Sequence, residues 1–208
     1  MKRAFIIILS VIFLDQALKF WVKTGMYLGQ EFHVAGNWFI VHFTENEGMA
    51  FGMKLPGAFG KILLSFFRLC VAAGGAWYLN RMIRRNVHPG LIVSGSLILA
   101  GAIGNIIDST FYGLLFSESG HQLAAFLPEH GGYAGLFHGR VVDMLYFPLI
   151  QTHFPAWFPL WGGEDFIFFR PVFNIADSSI TVGVSLILLF QKKFFPPADL
   201  PRSGEINA

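Results

Sequence analysis

Charge is what this 208-residue sequence has least of: Asp, Glu, Lys and Arg make up 13% of it, about half the roughly 25% of a soluble globular chain. Against that, 54% of the residues are apolar or aromatic, and phenylalanine alone occurs 24 times. So few charges cannot solvate the exterior of a water-soluble domain carrying that much apolar surface. Cysteine is nearly absent too. A single Cys70 excludes an intrachain disulfide framework and any Cys-x-x-Cys metal or redox site. The formal net charge of +2, on scattered Lys and Arg, leaves no electrostatic footprint for a nucleic-acid partner. The hydrophobicity also excludes disorder over most of the length.

What is present is a set of long apolar runs. A bilayer crossing takes about 20 such residues, and the stretches 4–22, 62–80, 91–107 and 172–190 qualify. The sequence therefore predicts an all-α polytopic membrane protein with four transmembrane helices. Residues 1–195 form one membrane-embedded domain, and 196–208, rich in proline and polar residues, read as a disordered cytoplasmic tail. The first run follows Lys2 and Arg3 as a secretory leader would, but Asp15-Gln-Ala-Leu-Lys19 follows it rather than a small-residue cleavage site, so it reads as a retained helix.

With four crossings, Lys2, Arg3, Arg81, Arg84, Arg85, Lys192, Lys193 and Arg202 all fall on one side. The positive-inside bias makes that side cytoplasmic, with both termini there. The opposite face receives two long loops, 23–61 and 109–171. In the first, Phe32-His-Val and Trp38-Phe-Ile-Val-His-Phe43 read as two short strands around a turn, the start of a small extracytoplasmic β-sheet. In the second, the aromatic stretch 145–171 holds Pro148, Pro155 and Pro159 before Pro171, which disfavours a spanning helix. It reads as an insertion at headgroup level, or as a lid over a cleft.

Ionisable residues inside spans cost roughly 2.5–3.5 kcal/mol each at a helix centre. Here Asp15, Lys19, Arg68, Asp108 and Asp177 lie in the runs, with Asn46, Asn105, Arg140, Asp143 and Asn174 near the outer ends. Their clustering at one depth is the main functional signal. Asp15 and Lys19, at i and i+4, share a face and can neutralise one another. Gly101, Asn105 and Asp108 form one stripe, the glycine permitting close helix approach. Asn174 and Asp177 share a face at the start of the fourth run. If that helix begins near Pro171, Asp177 is too deep to be a simple cap; if it begins later, a capping role is open.

Five blocks occur in order: Asp15-Gln-Ala-Leu-Lys19, Asn46-Glu-Gly-Met-Ala-Phe51, Gly101-Ala-Ile-Gly-Asn105-Ile-Ile-Asp108, Val141-Val-Asp143, and Phe173-Asn-Ile-Ala-Asp177-Ser-Ser-Ile180. Together they resemble the successive blocks of bacterial lipoprotein signal peptidase, the prolipoprotein-processing aspartic peptidase family. The resemblance covers residues 4–190. It implies that Asp143 and Asp177 are the catalytic pair, and that Asp15, Lys19, Asn46, Gly48, Asn105, Asp108, Asn174 and Ala176 shape or support the site. It implies a signal peptide cut before a diacylglyceryl-modified cysteine, without metal or other cofactor. The partners are then lipidated prolipoproteins and membrane phospholipid, and the chain is a monomer in the bacterial inner membrane with its site facing outward. One departure stands out: the family places Arg after the aspartate of the third block, where this chain has Ser109. Arg140 or Arg68 is the expected replacement.

Two rivals come from other classes. A proton-coupled transporter also uses intramembrane Asp, Lys and Arg, but its charges thread the midplane and its halves often repeat. A metalloprotease would use His130 and His138, which lack the i, i+4 spacing of a zinc-binding helix.

Overall fold

The computed structural model describes residues 1–47, 57–159 and 161–196; Gly48 and the expected tail from 197 onward lie outside them. The chain runs as helix α1 (Lys2–Gly25), strands β1 (Glu31–Ala35) and β2 (Phe39–Asn46), and helices α2 (Gly57–Arg84) and α3 (Pro89–Ile107). A π-helical turn (Asp108–Tyr112) and a short α4 (Gly113–Leu115) extend α3. Strands β3 (Val141–Tyr146), β4 (Ile150–His153), β5 (Asp165–Phe168) and β6 (Val172–Phe173) follow, and then α5 (Ile175–Leu189) and α6 (Gln191–Phe194).

Three helices are long and apolar enough to cross a membrane: Lys2–Gly25, Gly60–Arg84 and Pro89–Leu115. Their burial is inverted relative to a soluble bundle. On α1 the buried side chains include Asp15, Lys19 and Lys23, while Phe5, Leu9, Phe13 and Trp21 are exposed. A helix in lipid keeps its polar groups among protein partners and turns its apolar ones outward.

The fourth expected run, 172–190, is divided. Its first two residues are strand β6, and α5 begins only at Ile175, where the Asn174 side chain accepts the Asp177 N–H at 2.8 Å. The helix proper has 15 residues, about 22 Å at 1.5 Å per residue and short of the roughly 30 Å hydrocarbon core. The structure therefore has three helices of spanning length among the described residues, with α5 as a shorter apolar fourth.

Small residues let α5 lie directly on α3. A Cβ on Gly101 would collide with the Ala176 carbonyl, and one on Gly104 would stand 2.8 Å from Asp15 Oδ2 and 3.1 Å from Ala176 Cβ. Farther along, Gly183 faces the Ser94 carbonyl, and Ser179 donates to the Leu97 carbonyl at 2.8 Å. Glycine on one helix thus brings the backbone of the other within reach of polar side chains.

Both strands read in the first loop form, slightly longer than expected. They join an antiparallel sheet in the order β1-β2-β3-β6. Val22, Met26, Val41, Phe43, Phe116, Val142 and Met144 pack as one core where this sheet meets the C-terminal end of α1. The aromatic insertion folds as a separate β4–β5 hairpin, with Phe154 against Phe158 and Phe166 at ring distances of 4.9 and 5.2 Å.

Candidate active site

The site begins with α1. Lys19 is fully buried, and an ammonium has three N–H donors to satisfy. It reaches Asp15 Oδ2 and Asp108 Oδ2, each at 2.8 Å, and Asn105 Oδ1 at 3.0 Å. One cation thus holds two carboxylates that are themselves fully or almost fully buried. Each carboxylate then reaches a different segment. Asp15 Oδ1 accepts the Ala176 N–H at 2.9 Å, in the first turn of α5. Asp108 Oδ2 accepts the Val142 N–H at 3.2 Å, in β3. The residues after these two amides are Asp177 and Asp143. The Asp15–Lys19–Asp108 cluster is therefore a clamp, fixing the backbone immediately before each of the two remote aspartates.

Asn174 joins the pair directly. Its Oδ1 caps α5, and its Nδ2 donates to Asp143 Oδ1 at 2.7 Å and Asn105 Oδ1 at 3.0 Å. Asn105 Nδ2 in turn donates to Asp177 Oδ1 at 2.8 Å. Two side-chain amides therefore bridge the carboxylates of Asp143 and Asp177, which lie 34 positions apart in sequence. The amide of Asn46 approaches Asp143 Oδ2 at 3.4 Å.

The two aspartates differ in setting. Asp143 is only 5% exposed; burial first, and the charge of Asp177 second, push its carboxyl up to about 7 from 3.8. Asp177 is half-buried in the first turn of α5, where the positive helix end favours an anion.

The two candidate guanidiniums separate. Arg68 Nη1 donates to Ser109 Oγ at 3.2 Å, and its charge acts on Asp177 through space. It enters the region from α2 and meets the residue at which the resemblance expected an arginine. Arg140 turns elsewhere, toward the three carboxylates of Glu45, Glu47 and Glu118. Of the two arginines expected as the replacement, Arg68 is the one that meets Ser109.

Sequence reasoning missed Gln16, which donates to Asp108 Oδ1 at 2.8 Å and accepts from the Tyr112 hydroxyl at 3.2 Å. It also missed Lys23, one turn beyond Lys19 on the same face, buried against Glu45 and Ser119. The i, i+4, i+8 stripe of Asp15, Lys19 and Lys23 was the available signal.

A bundle of apolar helices whose polar interior converges on two bridged aspartates beneath a small sheet defines a polytopic membrane protein with a buried acidic site. The solved structures agree in fold. Two bacterial membrane enzymes determined by the in meso method superpose with a TM-score of 0.61 each, one at 23% identity over 97% of this chain and 96% of its own, the other at 24% over 93% and 94%. Among curated sequences, a lipoprotein signal peptidase of Porphyromonas gingivalis is 52% identical over 187 residues, 89% of this chain and 80% of that protein. One of Amoebophilus asiaticus is 36% identical, over 88% and 75%. The family described as signal peptidase (SPase) II matches residues 7–193, and the chain belongs to that family of peptidases. Membership sets the transporter alternative aside.

Proposed function

We propose that the chain is an intramembrane aspartic endopeptidase that removes signal peptides from diacylglyceryl-modified prolipoproteins, cutting before the lipidated cysteine. The observation that carries the reading is the amide bridge between Asp143 and Asp177, held from behind by the Asp15–Lys19–Asp108 clamp.

Two carboxylates in one partly dehydrated site do not both ionise easily, so the pair holds one proton, and its titration belongs to the pair. Burial raises the Asp143 carboxyl, which favours the proton on that member of the pair. Asp177 is more open to solvent and is faced by the α5 terminus and Arg68. Asp177 takes a proton from a bound water, whose oxygen attacks the scissile carbonyl carbon, while the Asp143 hydroxyl hydrogen-bonds the carbonyl oxygen. Collapse of the tetrahedral species breaks the C–N bond. The leaving amine receives its proton from the pair, which returns to one shared proton. Lys19 pairs with both Asp15 and Asp108 without touching substrate, and Arg68 takes the place of the family arginine at Ser109.

The signal helix and the acyl chains reach the site from lipid, so partition supplies much of the binding. The scissile peptide unwinds near Asn46, Asn105 and Asn174, which can satisfy freed backbone groups. In this reading α5 with α6 completes a fourth crossing, both termini are cytoplasmic, and the pair faces outward from the bacterial inner membrane. The chain acts as a monomer, and the β4–β5 hairpin covers the cleft.

The test uses purified protein with a lipidated prolipoprotein and its unlipidated counterpart. Cleavage of the first only, insensitive to chelator and abolished by Asp143→Asn and by Asp177→Asn separately, is expected. Retained cleavage in either variant overturns the assignment of the pair.

A further inference from the structure

Behind the sheet lies a second buried ionic cluster that the reaction does not use. Lys23 is fully buried, and its ammonium contacts Glu45 and Ser119 Oγ, the latter at 2.8 Å. Glu45, in β2, has a side chain 2% exposed. Its Oε1 also accepts the Ser119 hydroxyl at 2.9 Å, and its Oε2 accepts Arg140 Nη1 at 3.0 Å. The Tyr133 ring lies under both cations, 4.9 Å from Lys23 and 5.0 Å from Arg140. The Tyr133 hydroxyl accepts the Arg140 backbone N–H at 2.7 Å. Helix, strand and two loop segments therefore converge on one carboxylate.

The position of that carboxylate in the sheet gives the cluster its significance. Strands β2 and β3 start in one register, Ile40 opposite Tyr146 and Val41 opposite Leu145. They end in another, with Thr44 opposite Asp143, Glu45 opposite Val142 and Asn46 opposite Val141, after an irregularity between Val41 and Thr44. Beyond a bulge the earlier pairing no longer dictates the later one, and a slip of one residue turns every side chain to the other face. Such a slip would carry Asp143 away from Asn174. Glu45 and Arg140 are an ionic tie across the two strands on the far side of the bulge, and Lys23 fixes the tie to the helix that carries Lys19.

We infer that Lys23, Glu45 and Arg140 are positioning residues for the peptidase reaction, locking the β2–β3 register beyond the bulge so that Asp143 faces Asn174 and the site. The inference rests on the reading of Asp143 as catalytic. Displacement of a reacting group by about 1 Å can cost on the order of 100-fold in rate, and none of the three residues contacts substrate in this scheme. Their loss therefore falls on kcat and leaves KM unchanged.

The experiment measures kcat and KM on a lipidated prolipoprotein for Glu45→Gln, Arg140→Met and Arg140→Lys. Asp143→Asn and Glu31→Gln, an exposed glutamate of β1, serve as controls, and thermal unfolding in detergent is followed for each. Glu45→Gln and Arg140→Met are expected to lower kcat by about 10- to 100-fold with KM within twofold. Arg140→Lys, which keeps the charge, recovers most of the loss, and Glu31→Gln matches the parent. Because Arg140 is partly exposed, its variants test the idea even if Glu45→Gln does not fold. Parent-like kcat in Arg140→Met, a loss confined to KM, or no recovery in Arg140→Lys overturns the inference. Activity in Asp143→Asn would instead overturn the underlying assignment, whatever the other variants do.

Discussion

Asp143 makes a prediction in which activity and stability move in opposite directions. Burial and the neighbouring Asp177 raise its carboxyl from 3.8 to about 7, so the folded chain holds that proton more tightly than the unfolded chain does. The stabilising contribution is complete below about pH 4 and lost as pH rises through about 7, because the native state is then left with a buried anion. About three units at roughly 1.4 kcal/mol each set an upper bound of about 4 kcal/mol on the penalty above neutrality. Asp143→Asn removes the anion and keeps the shape. The Asn174 amide can still donate to the remaining oxygen, but the new NH2 faces the amide of Asn46, at an expense of about 1–3 kcal/mol. The expected net gain at pH 8 is therefore about 1–3 kcal/mol, or several degrees in Tm for a chain of this length. It disappears by pH 4, and cleavage is abolished throughout. Thermal unfolding of the two proteins in detergent at pH 4, 6 and 8 measures it. A variant no more stable than the parent at pH 8, or one whose advantage is the same at all three pH values, refutes the reasoning.

The same carboxyl sets the alkaline limb of catalysis: kcat should fall as pH rises through about 7, where the pair loses its single proton, and a profile flat to pH 9 would contradict the scheme. Lys19→Met leaves Asp15 and Asp108 without their shared cation; breaking such a buried pair should destabilise by about 3–5 kcal/mol, and adding Asp15→Asn should recover part of it, both read by thermal unfolding. Arg68→Leu should lower kcat by at least about tenfold through loss of a charge facing Asp177, and parent-like cleavage would remove Arg68 from the site. Gly101→Ala drives a Cβ into the Ala176 carbonyl, so a loss of about 1–3 kcal/mol with reduced kcat is expected as α5 is displaced.

Contacts that depend on local spacing were legible in the sequence. Asp15 and Lys19, four apart on a helix, form the ion pair that their periodicity predicts, and Gly101 and Asn105 fall on the face of α3 that meets α5. The strands around residue 37 followed from β-branched and aromatic content. What depended on distant partners was not legible. Glu45 looked like one more loop carboxylate because its partners, Lys23 and Arg140, are 22 and 95 positions away. The fourth run was read from Val172 because hydropathy does not register a cap, and Asn174 starts the helix three residues later. Both arginines were plausible neighbours of the aspartates. The glutamates gathered around Arg140 hold it away, and Arg68 is the one that reaches Ser109.

The bond from Asp15 to the Ala176 amide ties α1 to α5, across 161 positions of sequence. During synthesis α1 emerges with Asp15 and Lys19 matched only to each other, while Asp177 has yet to leave the ribosome. On the assignment proposed above, the chain is inert until α5 arrives and closes the circuit. On the same assignment, a half-made chain has no complete pair with which to cut neighbouring membrane proteins or its own leading helix.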